Sequence, residues 1–269
     1  MNGLRTTVGR SVRVITAFWS ANVAEEAQYR ANFVVSVLGT LFWLAMALLT
    51  LAIFFGQTDR LGGWSFWEVV VLLGVFNALG GIVETLLRPS VGRLAEYVRT
   101  GSLDLVLTRP IDPQFYVSFR RINVWRAADI VLGFALAGFA LIRLGIGDWG
   151  IRIASFLLLF AAAAVMLYAL WISLMCLAFW FVDVANLAVV FDAVFEAARY
   201  PASAYPGALR FLFLYLVPIV WTTTIPASAL TGQLRPPVGI LAVLTAAAAL
   251  VVARGIWRVA LRRYTSAGG

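Results

Sequence analysis

The chain has 269 residues, 62% of them hydrophobic and 13% charged, with a mean hydropathy of +0.91, whereas a soluble domain carries roughly 45–50% apolar and about 25% charged residues. So much apolar surface excludes a water-soluble fold, and the absence of His with a single Cys, Cys176, excludes His-based acid/base chemistry and Cys/His metal sites. The formal charge of +8 comes from arginines that mostly fall between apolar runs, so it reads as membrane topology and not as nucleic-acid affinity.

Residues 1–32 form a polar or mixed amino-terminal segment. The first apolar stretch starts too late and runs too long for a signal-peptide h-region, so this segment is expected to remain in the protein. Six spans are predicted, at about 33–55, 66–87, 122–142, 151–181, 208–230 and 237–259. The uncharged runs 33–55, 153–182 and 211–234 each meet the roughly 20 residues needed to cross a hydrocarbon core about 30 Å thick. Arg5, Arg10, Arg13 and Arg30 precede the first span, and Arg88, Arg93, Arg99, Arg109, Arg120, Arg121 and Arg126 cluster between the second and third. Arg254, Arg258, Arg262 and Arg263 close the chain, whereas the opposite connections hold only Arg60, Arg143, Arg152 and Arg235. An even span count and the positive-inside rule place both termini and the 88–121 connection in the cytoplasm.

In that connection Val91, Leu94, Ala95 and Val98 repeat at helical spacing and Gly101 is a natural stop, which predicts a short amphipathic helix across the cytoplasmic surface; a solvated interhelical loop is the alternative. The run 153–182 would be about 45 Å long as a helix, so it is expected to tilt or to project into the cytoplasm. Beyond it, Asp183, Asp192, Glu196 and Arg199 interrupt an apolar stretch. The segment 183–207 therefore reads as an interfacial amphipathic helix, with a short extra span as the alternative. The fifth span carries Pro218 and Pro226 and is followed by Gly232 and Pro236-Pro237. Such breaks free backbone groups that hydrocarbon cannot satisfy, so 222–236 is expected to be an external re-entrant element, a plain kink and exit loop being the alternative.

The carboxylates Glu68, Glu84, Asp129, Asp183, Asp192 and Glu196 fall near span ends or on the interfacial segment; each is expected to have an anchoring or topological role, a substrate role being the alternative, and Asp129 can pair with Arg126 one turn away. Few lie at mid-membrane, which argues against a proton- or sodium-coupled carrier. Trp43, Trp64, Trp67, Trp149, Trp171, Trp180, Trp221 and Trp257 read as belt or lipid-facing residues, and Cys176 as a packing residue.

The run Gly101-Ser102-Leu103-Asp104-Leu105-Val106-Leu107-Thr108-Arg109-Pro110-Ile111-Asp112-Pro113, the later Arg199-Tyr200-Pro201 with Tyr205-Pro206, the Pro218 and Pro226 pair, and the ending Tyr264-Thr265-Ser266-Ala267-Gly268-Gly269 resemble the permease subunits of type-2 ABC exporters, the ABC-2 family transporter proteins. The resemblance implies one all-α polytopic membrane domain over 1–269 in the bacterial inner (plasma) membrane. It further implies two such permeases, identical or paralogous, among membrane lipids and above two separate ABC ATPase subunits. The chain has no lysine and so no phosphate-binding loop; ATP and Mg are expected on the ATPase, with no cofactor or nucleic acid held here. By the same resemblance the coupling helix maps onto about 89–100, and the coupling residues are Val91, Arg93, Leu94, Glu96, Tyr97, Val98, Arg99, Gly101 and Asp104. The first and fifth spans of the two permeases would face one another, making Thr50, Phe54, Pro218, Trp221, Ile225 and Pro226 the pathway and gate. The implied activity is outward movement of a lipid-like, drug-like or glycan substrate by alternating access. A secondary transporter or channel, or a lipid-modifying membrane enzyme, is the competing reading.

Overall fold

The computed structural model describes residues 19–20, 30–147, 149–181, 187–213 and 218–264. The expectations for Arg5, Arg10 and Arg13, for Asp183 and for the ending 265–269 lie outside the described residues. The elements are α1 (Arg30–Phe55), α2 (Phe66–Ile82), α3 (Arg88–Ser90), α4 (Leu94–Arg99), α5 (Leu103–Leu107), α6 (Pro113–Phe119), α7 (Ala127–Leu144), α8 (Trp149–Met175), α9 (Leu187–Glu196), α10 (Gly207–Phe211), α11 (Ile219–Thr231) and α12 (Pro236–Arg263).

Among the described residues five helical stretches are long and apolar enough to cross a membrane: Phe33–Phe55, Phe66–Arg99, Val124–Leu144, Trp149–Phe179 and Pro236–Arg263. The expected span 208–230 is not one of them. Pro218 leaves helical geometry (ψ 43°), and the 13 residues of α11 reach only about 20 Å at 1.5 Å per residue, short of a hydrocarbon core. Residues 214–217, inside that expected span, lie outside the described residues.

α2 is the centre of the fold. A helix that is apolar all round must be covered all round, and Val69, Val70, Val71, Leu72, Val75, Ala78 and Leu79 are all fully buried. Its start is fixed by a capping box, in which the Ser65 N–H donates to Glu68 Oε2 at 2.7 Å. On one side α2 meets α7 almost backbone to backbone. A Cβ at Gly133 would fall 2.5 Å from the Ala78 nitrogen, and one at Gly74 would fall 2.6 Å from the Gly133 oxygen. Such small-residue contacts let two membrane helices approach without side chains between them, and Asn77 Nδ2 seals this one by donating to the Asp129 carbonyl at 2.8 Å.

The other side of α2 is covered by α11 and by residues 187–204, not by a surface helix set apart. The described part of the 183–207 segment therefore packs on α2. Asp192 pairs with Arg88 at one end of α2, Phe195 stacks on Phe76 at 4.8 Å along its middle, and Ser203 donates to the Gly62 carbonyl beyond the other end. The physical reason is the apolar stripe of α9: Phe191 and Phe195 are buried, with Phe191 packed edge-on to Trp171.

α11 is wedged between α8 and α2. Thr223 Oγ1 donates to the Ala198 carbonyl at 2.6 Å, and Thr224 Oγ1 accepts from the Ala202 N–H at 3.2 Å. Gly232, with φ +79°, closes the helix in the left-handed region that favours glycine, and Arg152 Nη1 donates to the Leu230 carbonyl at 3.3 Å, a cation at a helix C-terminus. Residues 219–231 are thus regular helix, and the non-helical backbone expected from 222 onward is found only after Thr231. Trp64, Trp171 and Trp257 are core residues and not members of a belt.

The α2–α7 contact generates a direct test. Gly133→Leu should cost about 1–3 kcal/mol by overpacking, read as a lowered melting temperature of the purified protein. Gly138→Leu, five residues further along α7 where an added Cβ meets nothing within 4 Å, should leave it unchanged; equal melting temperatures for the two variants would contradict the packing described.

Candidate functional site

Two features gather functional side chains: a projecting tip in the 88–121 connection and a charged cavity beside α2. The tip grows out of α2 without a break. The second predicted span ends at about 87, but a π turn at Val83–Leu87 leads directly into α3, a 3-10 turn at Val91–Arg93 and α4. Pro89 offers no N–H to the Thr85 carbonyl four residues back, and the Asn123 N–H supplies one at 2.9 Å. Next to it Ser90 and Arg121 clasp each other. Ser90 Oγ donates to the Arg121 carbonyl and accepts from the Arg121 N–H at 2.9 Å.

Because α4 continues a buried helix, its apolar stripe faces the chain's own core. Val91 and Leu94 are fully buried, and Tyr97 and Val98 pack partly against them, with Tyr97 OH accepting from Arg120 Nη1 at 2.9 Å. Of the predicted coupling set, Val91 and Leu94 are thus buried within the chain, and Arg93, Glu96 and Arg99 are exposed. Gly101, at φ +69°, turns the chain as expected, and its carbonyl accepts from Tyr264 OH at 3.3 Å. α5 then buries Leu103 and Val106 while Asp104 sits in its first turn and Leu105 (69% exposed) and Leu107 point outward beside Arg109. Sequence reasoning missed Leu105 and Leu107. Leu105, two residues after Leu103, falls on the opposite face of a helix too short for periodicity to resolve, whereas Leu107, four after, shares the helical face of Leu103 and carries no pattern signal for exposure.

The tip is braced from behind. Asp112 caps α6 by accepting from the Phe115 N–H at 3.0 Å and forms an ion pair with Arg254 of α12. Arg254 Nη1 also donates to Gln114 Oε1 at 2.6 Å, and Gln114 Nε2 donates to Tyr168 OH of α8 at 3.0 Å. Burial raises the Asp112 carboxyl's pKa, but the Arg254 guanidinium and the Phe115 N–H outweigh it and hold it below its ordinary value.

The cavity, about 340 Å³, lies between α1, α2, α7 and α9. Arg88 is held by two carboxylates, with Nε 2.7 Å from Glu84 Oε1 and Nη2 2.6 Å from Asp192 Oδ1. Asp129 is buried, accepts from Thr40 Oγ1 and pairs with Arg126 at 3.4 Å, as the sequence predicts. Glu196 pairs with Arg199, whose guanidinium lies 5.5 Å from the Phe76 ring centre. Trp43, Phe76 and Phe195 supply the apolar walls. Four of the six carboxylates singled out in the sequence, Glu84, Asp129, Asp192 and Glu196, thus share one cavity.

The proposed gate residues are not brought together. Thr50 and Phe54 are exposed on α1, whereas Pro218, Trp221, Ile225 and Pro226 line a small separate void against Leu159, Met166 and Ala242 inside the chain. Ile225 is buried there, so it does not offer itself to a second copy.

The Asp112–Arg254 brace predicts a pH dependence. A carboxyl with a lowered folded pKa stabilises the fold above its unfolded value, near 3.9, and the gain is lost as pH falls through the folded value. Asp112→Asn should melt below the wild type at pH 7, and the two melting temperatures should converge below about pH 4; a constant difference across that range would show that the charge contributes nothing.

No curated protein and no solved structure matches the chain. The model of one family, described as ABC-2 family transporter protein, matches residues 41–268, which takes in α2 through α12, the tip and the cavity. The chain belongs to the ABC-2 family of transporter proteins.

Proposed function

We propose that this chain is the permease subunit of an ATP-driven exporter in the bacterial inner membrane, working as a pair above two separate ATPase subunits. The observation that carries the reading is the exposed, braced tip at 93–109. It presents Leu105 and Leu107 among Arg93, Arg99 and Arg109, on a support tied to α8 through Tyr168 and to α12 through Arg254 and Tyr264. A lever that receives force from another protein needs apolar residues to dock, charges to fix register and a base that does not yield. ATP and Mg are bound by the partner, since the phosphate-cradling lysine is missing here.

The arginine distribution supports a cytoplasmic tip with both termini on the same side. In that orientation residues 187–204 make a crossing from the cytoplasmic to the external side, as the Asp192–Arg88 and Ser203–Gly62 contacts at its two ends suggest. α11 then rises from the middle of α8 toward Arg152, so 205–231 enters the membrane from outside and returns. This keeps six crossings, with the fifth moved from 208–230 to 187–204. A reporter fused within 99–113 should read as cytoplasmic and one near Gly147 as external; an external signal from 99–113 would overturn the orientation.

Docking through the tip has its own test in the complex purified from native membranes. Leu105→Asp with Leu107→Asp should leave the chain inserted and monodisperse while lowering co-purifying ATPase activity about tenfold or more, because charges would be stranded at a desolvated contact. Leu94→Asp should instead impair folding, since Leu94 is fully buried within the chain. Undiminished ATPase activity with the double variant would remove the tip from the coupling surface.

A further inference from the structure

We propose that the cavity between α1, α2, α7 and α9 binds a hydrophobic organic monocation, its charged group at Glu84, Asp192 and Glu196 and its apolar body against Trp43, Phe76 and Phe195.

Charge balance carries the argument furthest. The wall holds four carboxylates, Glu84, Asp129, Asp192 and Glu196, against Arg88 and Arg126. Arg199 joins them through Glu196. Asp129 has Arg126 and Glu196 has Arg199, but Glu84 and Asp192 share the single guanidinium of Arg88, so one negative charge is uncompensated among the described residues. A network that served only to hold helices together in a membrane would be neutral, because an unpaired charge beside hydrocarbon is costly. The imbalance is met when a cation enters.

Geometry and access agree with the charge. The side chains of Asp192 and Glu196 are 46% and 52% exposed, so both are reachable from the open cavity, whereas Asp129 at 7% is spent on its internal partners. A volume of about 340 Å³ falls within the roughly 300–1,000 Å³ of small-molecule sites. The cluster already seats cations on aromatic faces, Arg199 on Phe76 and Arg88 at 5.7 Å from the Trp171 ring centre, and a quaternary or protonated amine would use Trp43 and Phe195 in the same way. A bare metal ion fits poorly, because Arg88 already sits between the two carboxylates that would hold it. An anion would face the carboxylates of three elements, α2's π turn, α7 and α9.

That such a cation is cargo rests on the exporter reading; that it binds does not. The test therefore uses the full chain alone in phosphatidylcholine nanodiscs, with tetraphenylphosphonium as probe and tetraphenylborate as its anion of matched shape. Tetraphenylphosphonium should bind saturably at one per chain above empty discs, and tetraphenylborate should show no saturable binding. Asp192→Asn should weaken the cation at least about tenfold and, having removed the surplus charge, should melt no lower than the wild type without ligand. Glu84→Gln, which leaves the Arg88–Asp192 bridge in place, should act alike and serves if Asp192→Asn fails to insert. Saturable binding of tetraphenylborate, or tetraphenylphosphonium affinity unchanged in whichever variant folds, would overturn the inference and leave the permease reading standing. Absence of any ATPase activity from the wild-type complex purified from native membranes would overturn the permease reading and leave the cation site standing.

Discussion

The close approach of α2 to α7 is the constraint on which the remaining arrangement depends. With Gly74 and Gly133 in place the two backbones touch, and Asn77 is brought within reach of the Asp129 carbonyl. That bond fixes where Asp129 stands relative to Thr40 and Arg126, and so fixes the floor of the charged cavity. Hydrocarbon gives no hydrophobic drive for helices to associate, so van der Waals contact and interhelical hydrogen bonds must set their register. A contact that admits no side chain sets it to within a fraction of a turn.

The apolar spans are legible in the sequence because their signal is length, as at 33–55 and 153–182. The uncharged run 211–234 carries the same signal, yet Pro218 leaves helical geometry and the described residues hold no spanning helix there. The course of the chain beyond Leu87 is not legible in the same way. Arg88-Pro89 looks like the end of a helix, and only the Asn123 N–H, 34 positions beyond, explains why the helix can go on. The stripe Val91, Leu94, Val98 is visible as a stripe, but periodicity says that one face is buried without saying in what. Here it is buried in the chain's own core, and the outward-facing apolar residues, Leu105 and Leu107, sit on a helix of five residues.

Charges mislead for a related reason. Asp192 looks interfacial because it interrupts an apolar stretch, yet its partner Arg88 lies 104 positions earlier and holds it against α2. Local pattern cannot report such pairing. The same holds for residues 187–204, whose contacts to Phe76 and Thr223 join positions far apart in the chain. By contrast, the Arg126–Asp129 pair is readable, because its members are three residues apart on one helix.

The tip and the cavity meet at one place, the π turn Val83–Leu87. Glu84, within it, reaches into the cavity to hold Arg88, while the Thr85 carbonyl faces the other way and accepts from Asn123 at the base of the tip. A π turn holds one residue more than the α-helical ladder requires, and such turns recur at functional sites. Arg88 opens α3, the first helix of the connection, and its two carboxylate partners stand on different elements, Glu84 on the π turn and Asp192 on α9. The ion pair that shapes the cavity therefore also ties the start of the tip to α9.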